Sequence, residues 1–206
     1  GVSPWDAITY DEKSDTLYFG TDGPSPWSPA GRAPDAGDEL FTDSIVAVNA
    51  STGAYRWHFQ TVQHDGWNMS ATMHIMLADL PQDQGTRRVV MTAPKNGFFY
   101  VLDAATGEFI SAKNYVPVNW TTGLDSKTGR PKPSDEAAYW KYPGKDVVPL
   151  PGDVGGHNWE AMAFNPKSGL VFIPASIVPV RTRVDTDGLH LDYYYGMRTD
   201  ATVKTR

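Results

Sequence analysis

Cysteine is absent from the 206 residues, which excludes disulfides and thiolate metal sites within this segment. The absence leaves the redox compartment open, because any compartment tolerates a cysteine-free chain. There is no Lys/Arg run and no apolar stretch approaching about 18 residues, so neither a polybasic patch nor a membrane-spanning segment is expected. With 18 Lys and Arg against 24 Asp and Glu, the formal net charge is −6, the wrong sign for a nucleic-acid or anionic-membrane surface. No signal-peptide pattern opens the sequence. Helical periodicity is scarce too: residues 68–80 alternate poorly and read as a strand with a distorted entry, and no long helix is expected.

What the chain does have is seven Trp, ten Tyr, eight Phe, 19 Gly and 16 Pro. Aromatic residues between frequent turn formers favour an all-β architecture. One plan recurs along the sequence: strand, Asp or Asn, short turn, strand. It is read at Ser44 to Trp57 (SIVAVNASTGAYRW), at Tyr100 to Gly107 (YVLDAATG), at Ala163 to Ile173 (AFNPKSGLVFI) and, more loosely, at Ile8 to Phe19 (ITYDEKSDTLYF). Antiparallel hairpins repeated every few tens of residues indicate a β-propeller or a related array. Their irregular spacing calls for long loops, expected at about 23–38 and 119–156 and rich in Pro and Gly; loops of that length in a compact fold are usually functional or disordered. The chain is expected to be one partial propeller domain over 1–206. It begins at Gly1 without Met and ends in Thr205-Arg206 with no terminating element, as in a fragment of a longer polypeptide.

The most informative run is Ala93-Pro94-Lys95-Asn96-Gly97, which leads into Phe98-Phe99-Tyr100-Val101-Leu102 and then Asp103-Ala104-Ala105-Thr106-Gly107. It sets a cation and an amide on a loop before a strand expected to be buried on both faces. The strand closes in a turn where Asp103 can bond the backbone ahead and Gly107 tolerates positive φ. Four more stretches complete the pattern: Ser3-Pro4-Trp5-Asp6, Gly20-Thr21-Asp22-Gly23-Pro24-Ser25-Pro26-Trp27, His64-Asp65-Gly66-Trp67-Asn68, and Gly155-Gly156-His157-Asn158-Trp159. Together they resemble, in order, the pyrroloquinoline-quinone (PQQ) alcohol dehydrogenase family, whose members are eight-bladed propellers far longer than this chain. In that family the Ala-x-Asp-x-x-Thr-Gly-x-x-x-Trp pattern, met here at Ala47 to Trp57 with Asn49 in the Asp place, docks one blade on the next. Read without the family, it is plain architecture, a Trp packed between sheets.

The resemblance implies PQQ and Ca²⁺ as cofactors. PQQ is a planar, electron-poor quinone with three carboxylates, so an indole floor, Trp5, suits its face. Lys95 would meet the quinone oxygens, where a cation stabilises charge on reduction. Ser3, Asn158 and Trp159 complete the implied cofactor contacts. Calcium wants oxygen ligands and acts as a Lewis acid, and Asp22 is the candidate ligand in this chain. The activity implied is oxidation of a small alcohol to an aldehyde in the periplasm, with electrons passed to a cytochrome c or a quinone. His64 and His157 lack metal-ligand spacing and are expected as loop or surface residues.

Two positions depart from the family pattern. The family's general base is the Asp after Trp, and Asn68 stands there; a carboxamide has no basic lone pair near neutral pH. Asp65 is the nearest carboxylate that could substitute. Gly23 takes the place of the metal-binding Asn, leaving Asp22 as the adjacent donor. Lanthanide-using relatives carry a further Asp where this chain has Ser70, so calcium is the expected metal. Three readings stay open: a PQQ alcohol dehydrogenase with an atypical site, a non-catalytic propeller serving as a binding or assembly module, and a related quinoprotein acting on a sugar or polyol.

Overall fold

The computed structural model describes residues 2–33, 37–82 and 85–184. It contains two four-stranded antiparallel sheets, each wound in sequence order. The first comprises β1 (Ile8–Asp11), β2 (Thr16–Gly20), β3 (Ser44–Asn49) and β4 (Tyr55–Gln60). The second comprises β5 (Ile75–Gln82), β6 (Gly85–Thr92), β7 (Phe98–Asp103) and β8 (Phe109–Asn114). Strand follows neighbouring strand with no crossover, which is the propeller blade. Two shorter hairpins follow: β9 (Thr121–Leu124) with β10 (Pro131–Pro133), and β11 (Ala163–Asn165) with β12 (Leu170–Phe172).

The repeated turns have one chemistry. Asp103 Oδ1 accepts the N–H groups of Ala105 and Thr106 and the Thr106 hydroxyl, and Gly107 donates its N–H to the Asp103 carbonyl at φ 74°. Asn49 repeats this with Thr52 and Gly53, so the Asn that replaces Asp keeps the accepting oxygen. Positive φ at the fifth position is what glycine permits at little cost.

Blade packs on blade through the β7–β8 turn of the next sheet. Trp57 of β4 donates its indole N–H to the Ala104 carbonyl at 3.0 Å, and the Tyr18 hydroxyl of β2 reaches the same oxygen at 2.9 Å. Their rings sit 5.7 Å apart, in a core with Ile45, Ala47, Ile75, Val90 and Leu102. The docking role expected for Trp57 is thus realised. A second core gathers Val62, Trp67, Met69, Phe98, Tyr100, Trp120 and Tyr139.

Two expectations need correction. The strand at 98–102 is buried on alternate residues only: Phe98, Tyr100 and Leu102 are buried, whereas Phe99 and Val101 are half-covered. Those two face the side that β11 and β12 cover in part, through Phe164 and Val171. The stretch 119–156 is also not all loop. It holds β9, β10 and two 3-10 turns, Asp135–Ala137 and Tyr139–Lys141. A further copy of the repeated turn, Asp125-x-x-Thr128-Gly129, closes the β9–β10 hairpin with the same hydrogen bonds. Residues 68–74 enter β5 as irregular backbone and 75–82 form the strand, as expected.

Candidate functional site

The loops at one end of the two blades converge around Lys95. This residue precedes β7 and is 6 % exposed despite its charge. Its amide N–H reaches the Ser70 carbonyl, and its own carbonyl accepts the Gly156 N–H at 3.0 Å. A Cβ on Gly155 would lie 2.6 Å from the Lys95 side chain, so the Gly-Gly pair is what lets the 154–158 loop close over it. Burial lowers the Lys95 ammonium from its usual value; the carboxylates of Asp22, Asp153, Asp65 and Asp43 pull the other way without cancelling it. The ammonium stands 5.8 Å from the centre of the Trp5 ring, within cation–π range. Trp5 itself keeps 42 % of its surface open.

Asn158 is buried; its amide donates to the Val154 carbonyl at 2.7 Å, while its Oδ1 meets no donor among the described residues. His157, expected at the surface or in a loop, lies in a loop but is buried. Its two ring nitrogens stand 2.8 Å and 2.7 Å from the Ala93 and Glu160 carbonyls, so it pins this loop to the start of the Lys95 segment. Trp159 is 65 % exposed.

Next to Lys95 lies an acidic group from three loops. Asp22 follows β2 and is fixed by the Ser3 carbonyl, which accepts its N–H at 3.2 Å, and by the Ser70 hydroxyl, which donates to Oδ1. The Ser3 segment is thereby held beside the site. Asp65 is completely buried and caps its own turn: Oδ1 accepts the Trp67 N–H and Oδ2 the Met69 N–H, both at 2.7 Å. Burial raises its carboxyl, while those two bonds and the charges of Arg32 and Lys95 oppose the rise. Asn68, inside this turn, is half-buried with φ 63°, a conformation Asn tolerates better than most residues. Arg32 ties Glu39 to the turn, donating to both Glu39 carboxylate oxygens and to the Asp65 carbonyl. Glu39 also meets His64 at 3.4 Å.

Asp43 is the residue that sequence reasoning missed. It precedes β3, is completely buried, and neither carboxylate oxygen meets a hydrogen-bond donor among the described residues. Its backbone N–H bonds the Asp22 carbonyl at 3.1 Å. Gly23 faces it: a Cβ there would sit 2.9 Å from Asp65 Oδ2 and 3.4 Å from Asp43 Oδ1. The available signal was weak, an Asp just before an apolar strand, which normally reads as a turn residue.

The arrangement offers a partly open indole beside a buried ammonium and an unsatisfied amide oxygen, which suits a planar group carrying acceptor and donor edges. Beside it, unsatisfied carboxylate oxygens suit a cation. Among the described residues no three His, Cys, Asp or Glu side chains are disposed to enclose a metal ion, so any cation here takes other ligands as well.

Comparison with known proteins identifies the family of the chain. Residues 1–137 match the family model for the glucose/ethanol/alcohol dehydrogenase β-propeller domain, a PQQ family. Over its whole length the chain is 75 % identical to lupanine 17-hydroxylase [cytochrome c] of a Pseudomonas species, covering 30 % of that protein. It is 52 % identical to the dehydrogenase subunit of the quinone alcohol dehydrogenase of Komagataeibacter europaeus, over 87 % of this chain and 24 % of that one. Among solved structures, the quinohemoprotein alcohol dehydrogenase ADHIIG of Pseudomonas putida HK5 superposes with a TM-score of 0.84 at 50 % identity, covering 89 % of this chain and 27 % of its own. The chain thus spans less than a third of the length of these relatives. Its matched blades, in the order and with the docking turns described above, make it a member of the PQQ-dependent alcohol dehydrogenase β-propeller family.

Proposed function

We propose that this chain forms one side of the PQQ site of a periplasmic dehydrogenase that passes its electrons to a cytochrome c, with Ca²⁺ beside the cofactor. The observation that carries the reading is the convergence of Trp5, Lys95 and the Asn158 loop, with Asn158 Oδ1 left unsatisfied. When bound, PQQ supplies a hydride acceptor and Ca²⁺ a Lewis acid. Trp5 offers the face for the ring, Lys95 a charge-assisted donor held in a dry setting, and Asn158 an amide edge. Asp65 and Arg32 fix the turn that presents Asn68.

For the substrate, we favour a lupanine-like alkaloid over a simple alcohol. Two observations support this: the 75 % identity to a lupanine 17-hydroxylase, against 52 % to an alcohol dehydrogenase, and Asn68 itself. Oxidising an alcohol requires removal of its hydroxyl proton, the work of a general base. A carbon bonded to an amine nitrogen releases hydride as the nitrogen lone pair takes up the positive charge, and no O–H proton need leave. Water then adds to that carbon and loses a proton, which completes a hydroxylation. A carboxamide at position 68 is compatible with this chemistry and poorly suited to the other.

The test uses the polypeptide in its full natural length, loaded with PQQ and Ca²⁺, with cytochrome c or a dye as acceptor. Turnover of lupanine and weak turnover of ethanol and butanol are expected. Asn68→Asp should raise alcohol oxidation by about 10²-fold or more, the usual worth of a general base. Robust alcohol oxidation by the unmodified protein, with none of lupanine, would overturn the substrate assignment.

A further inference from the structure

We propose that Asp43 is the carboxylate through which this chain anchors the site's divalent cation, in the space that Gly23 leaves open. The inference rests on the reading that Ca²⁺ accompanies the cofactor here, and adds which residue of this chain holds it. A carboxylate with 0 % exposure and two unsatisfied oxygens is costly unless something balances it. Asp65, equally buried, spends its oxygens on two backbone N–H groups; Asp43 has none.

The surroundings indicate what is missing. Position 23 is glycine; a Cβ there would crowd Asp65 Oδ2 at 2.9 Å and come to 3.4 Å from Asp43 Oδ1, and a longer side chain would occupy the space beside them. Asp22, one residue before, shares a backbone hydrogen bond with Asp43 and is held by the Ser70 hydroxyl. Hard cations such as Ca²⁺ take carboxylate oxygens, singly or as a pair, together with carbonyl and cofactor oxygens. Asp43 therefore acts as an anionic anchor, with the remaining ligands supplied by the cofactor and other groups. The sequence position where the family pattern has its ligand side chain is empty, and the charge has moved 20 positions along the chain, to a residue that β2–β3 pairing brings back.

The test is Ca²⁺ binding by the metal-stripped, full-length protein, with and without PQQ, read by calorimetry and by the rise in thermal midpoint with added Ca²⁺. PQQ uptake is followed separately by its own absorbance. Asp43→Asn is expected to weaken Ca²⁺ binding by about 10–100-fold or more and to abolish the Ca²⁺-dependent rise. The same variant should melt no lower than the unmodified protein when both are metal-free, since it removes an unbalanced buried acid. Gly23→Ala, which fills the space while keeping the carboxylate, should also weaken binding. Wild-type Ca²⁺ affinity in Asp43→Asn would overturn the proposal. So would the absence of Ca²⁺ binding in the unmodified protein with and without PQQ, whereas failure of PQQ uptake would instead overturn the cofactor reading.

Discussion

Asp65 and Asp43 carry the same functional group at the same depth, and their partners decide what each can do. Asp65 has both oxygens engaged by the turn it caps, 2.7 Å from two backbone N–H groups. A base must reach the substrate with a free lone pair, whereas Asp65 is completely buried and each of its oxygens already holds a backbone N–H, of Trp67 or of Met69. Replacing Asp65 with Asn turns one acceptor into a donor facing an N–H group. A stability loss of about 1–3 kcal/mol is expected, measured by denaturant unfolding of the full-length protein. Lupanine turnover should follow the remaining folded, cofactor-loaded fraction. A loss per loaded site of about 10²-fold or more would instead make Asp65 the proton acceptor.

At the level of elements, the docked indole rests on one turn of the neighbouring blade. Trp57 needs Gly107: a Cβ there would lie 2.5 Å from the indole ring, at a φ of 74° that L side chains resist. Trp57→Ala should cost about 3–5 kcal/mol. Trp57→Phe, which keeps an aromatic ring, though a smaller one, and loses the bond to Ala104, should cost about 1–2 kcal/mol, and Gly107→Ala should fall between this and Trp57→Ala. Hydrogen exchange at the Ala104–Gly107 turn measures all three, faster by roughly tenfold for each 1.4 kcal/mol lost. Such contacts were legible in the sequence because the motif is local: Asn49, Thr52, Gly53 and Trp57 lie within one hairpin, and Asp103, Thr106 and Gly107 within another. Asp43 was not legible, because its meaning depends on β2–β3 pairing that returns it to Asp22 across a 20-residue excursion. The β9–β10 hairpin was overlooked among prolines, although Asp125, Thr128 and Gly129 repeat the turn chemistry of the other copies.

Across the molecule, the two blades are joined by more than the docked Trp. The Ala7 and Ala71 N–H groups reach the Thr72 and Thr21 carbonyls, and the Thr9 hydroxyl reaches the Ile75 carbonyl at 2.8 Å. At the outer end, Arg88 of β6 reaches Asp11 of β1 at 3.0 Å and Asp79 at 3.2 Å. Burial alone would push the Asp11 carboxyl up. Hydrogen bonds from Ser14 and Arg88, with the Arg88 charge, outweigh it and hold the group below its usual value. A carboxylate with a depressed native pKa adds stability that is present above its unfolded value of about 3.9 and lost as pH falls through the native one. A double-mutant cycle of Asp11→Asn and Arg88→Met should therefore give a coupling of about 1–2 kcal/mol at neutral pH, below the full worth of a buried charged pair because Arg88 keeps 32 % of its side chain in water. Below the native Asp11 pKa the coupling should fade, and Asp11→Asn should then cost little. A coupling unchanged between neutral and acid pH would mean that packing of the arginine stem, rather than its charge, ties these blades together.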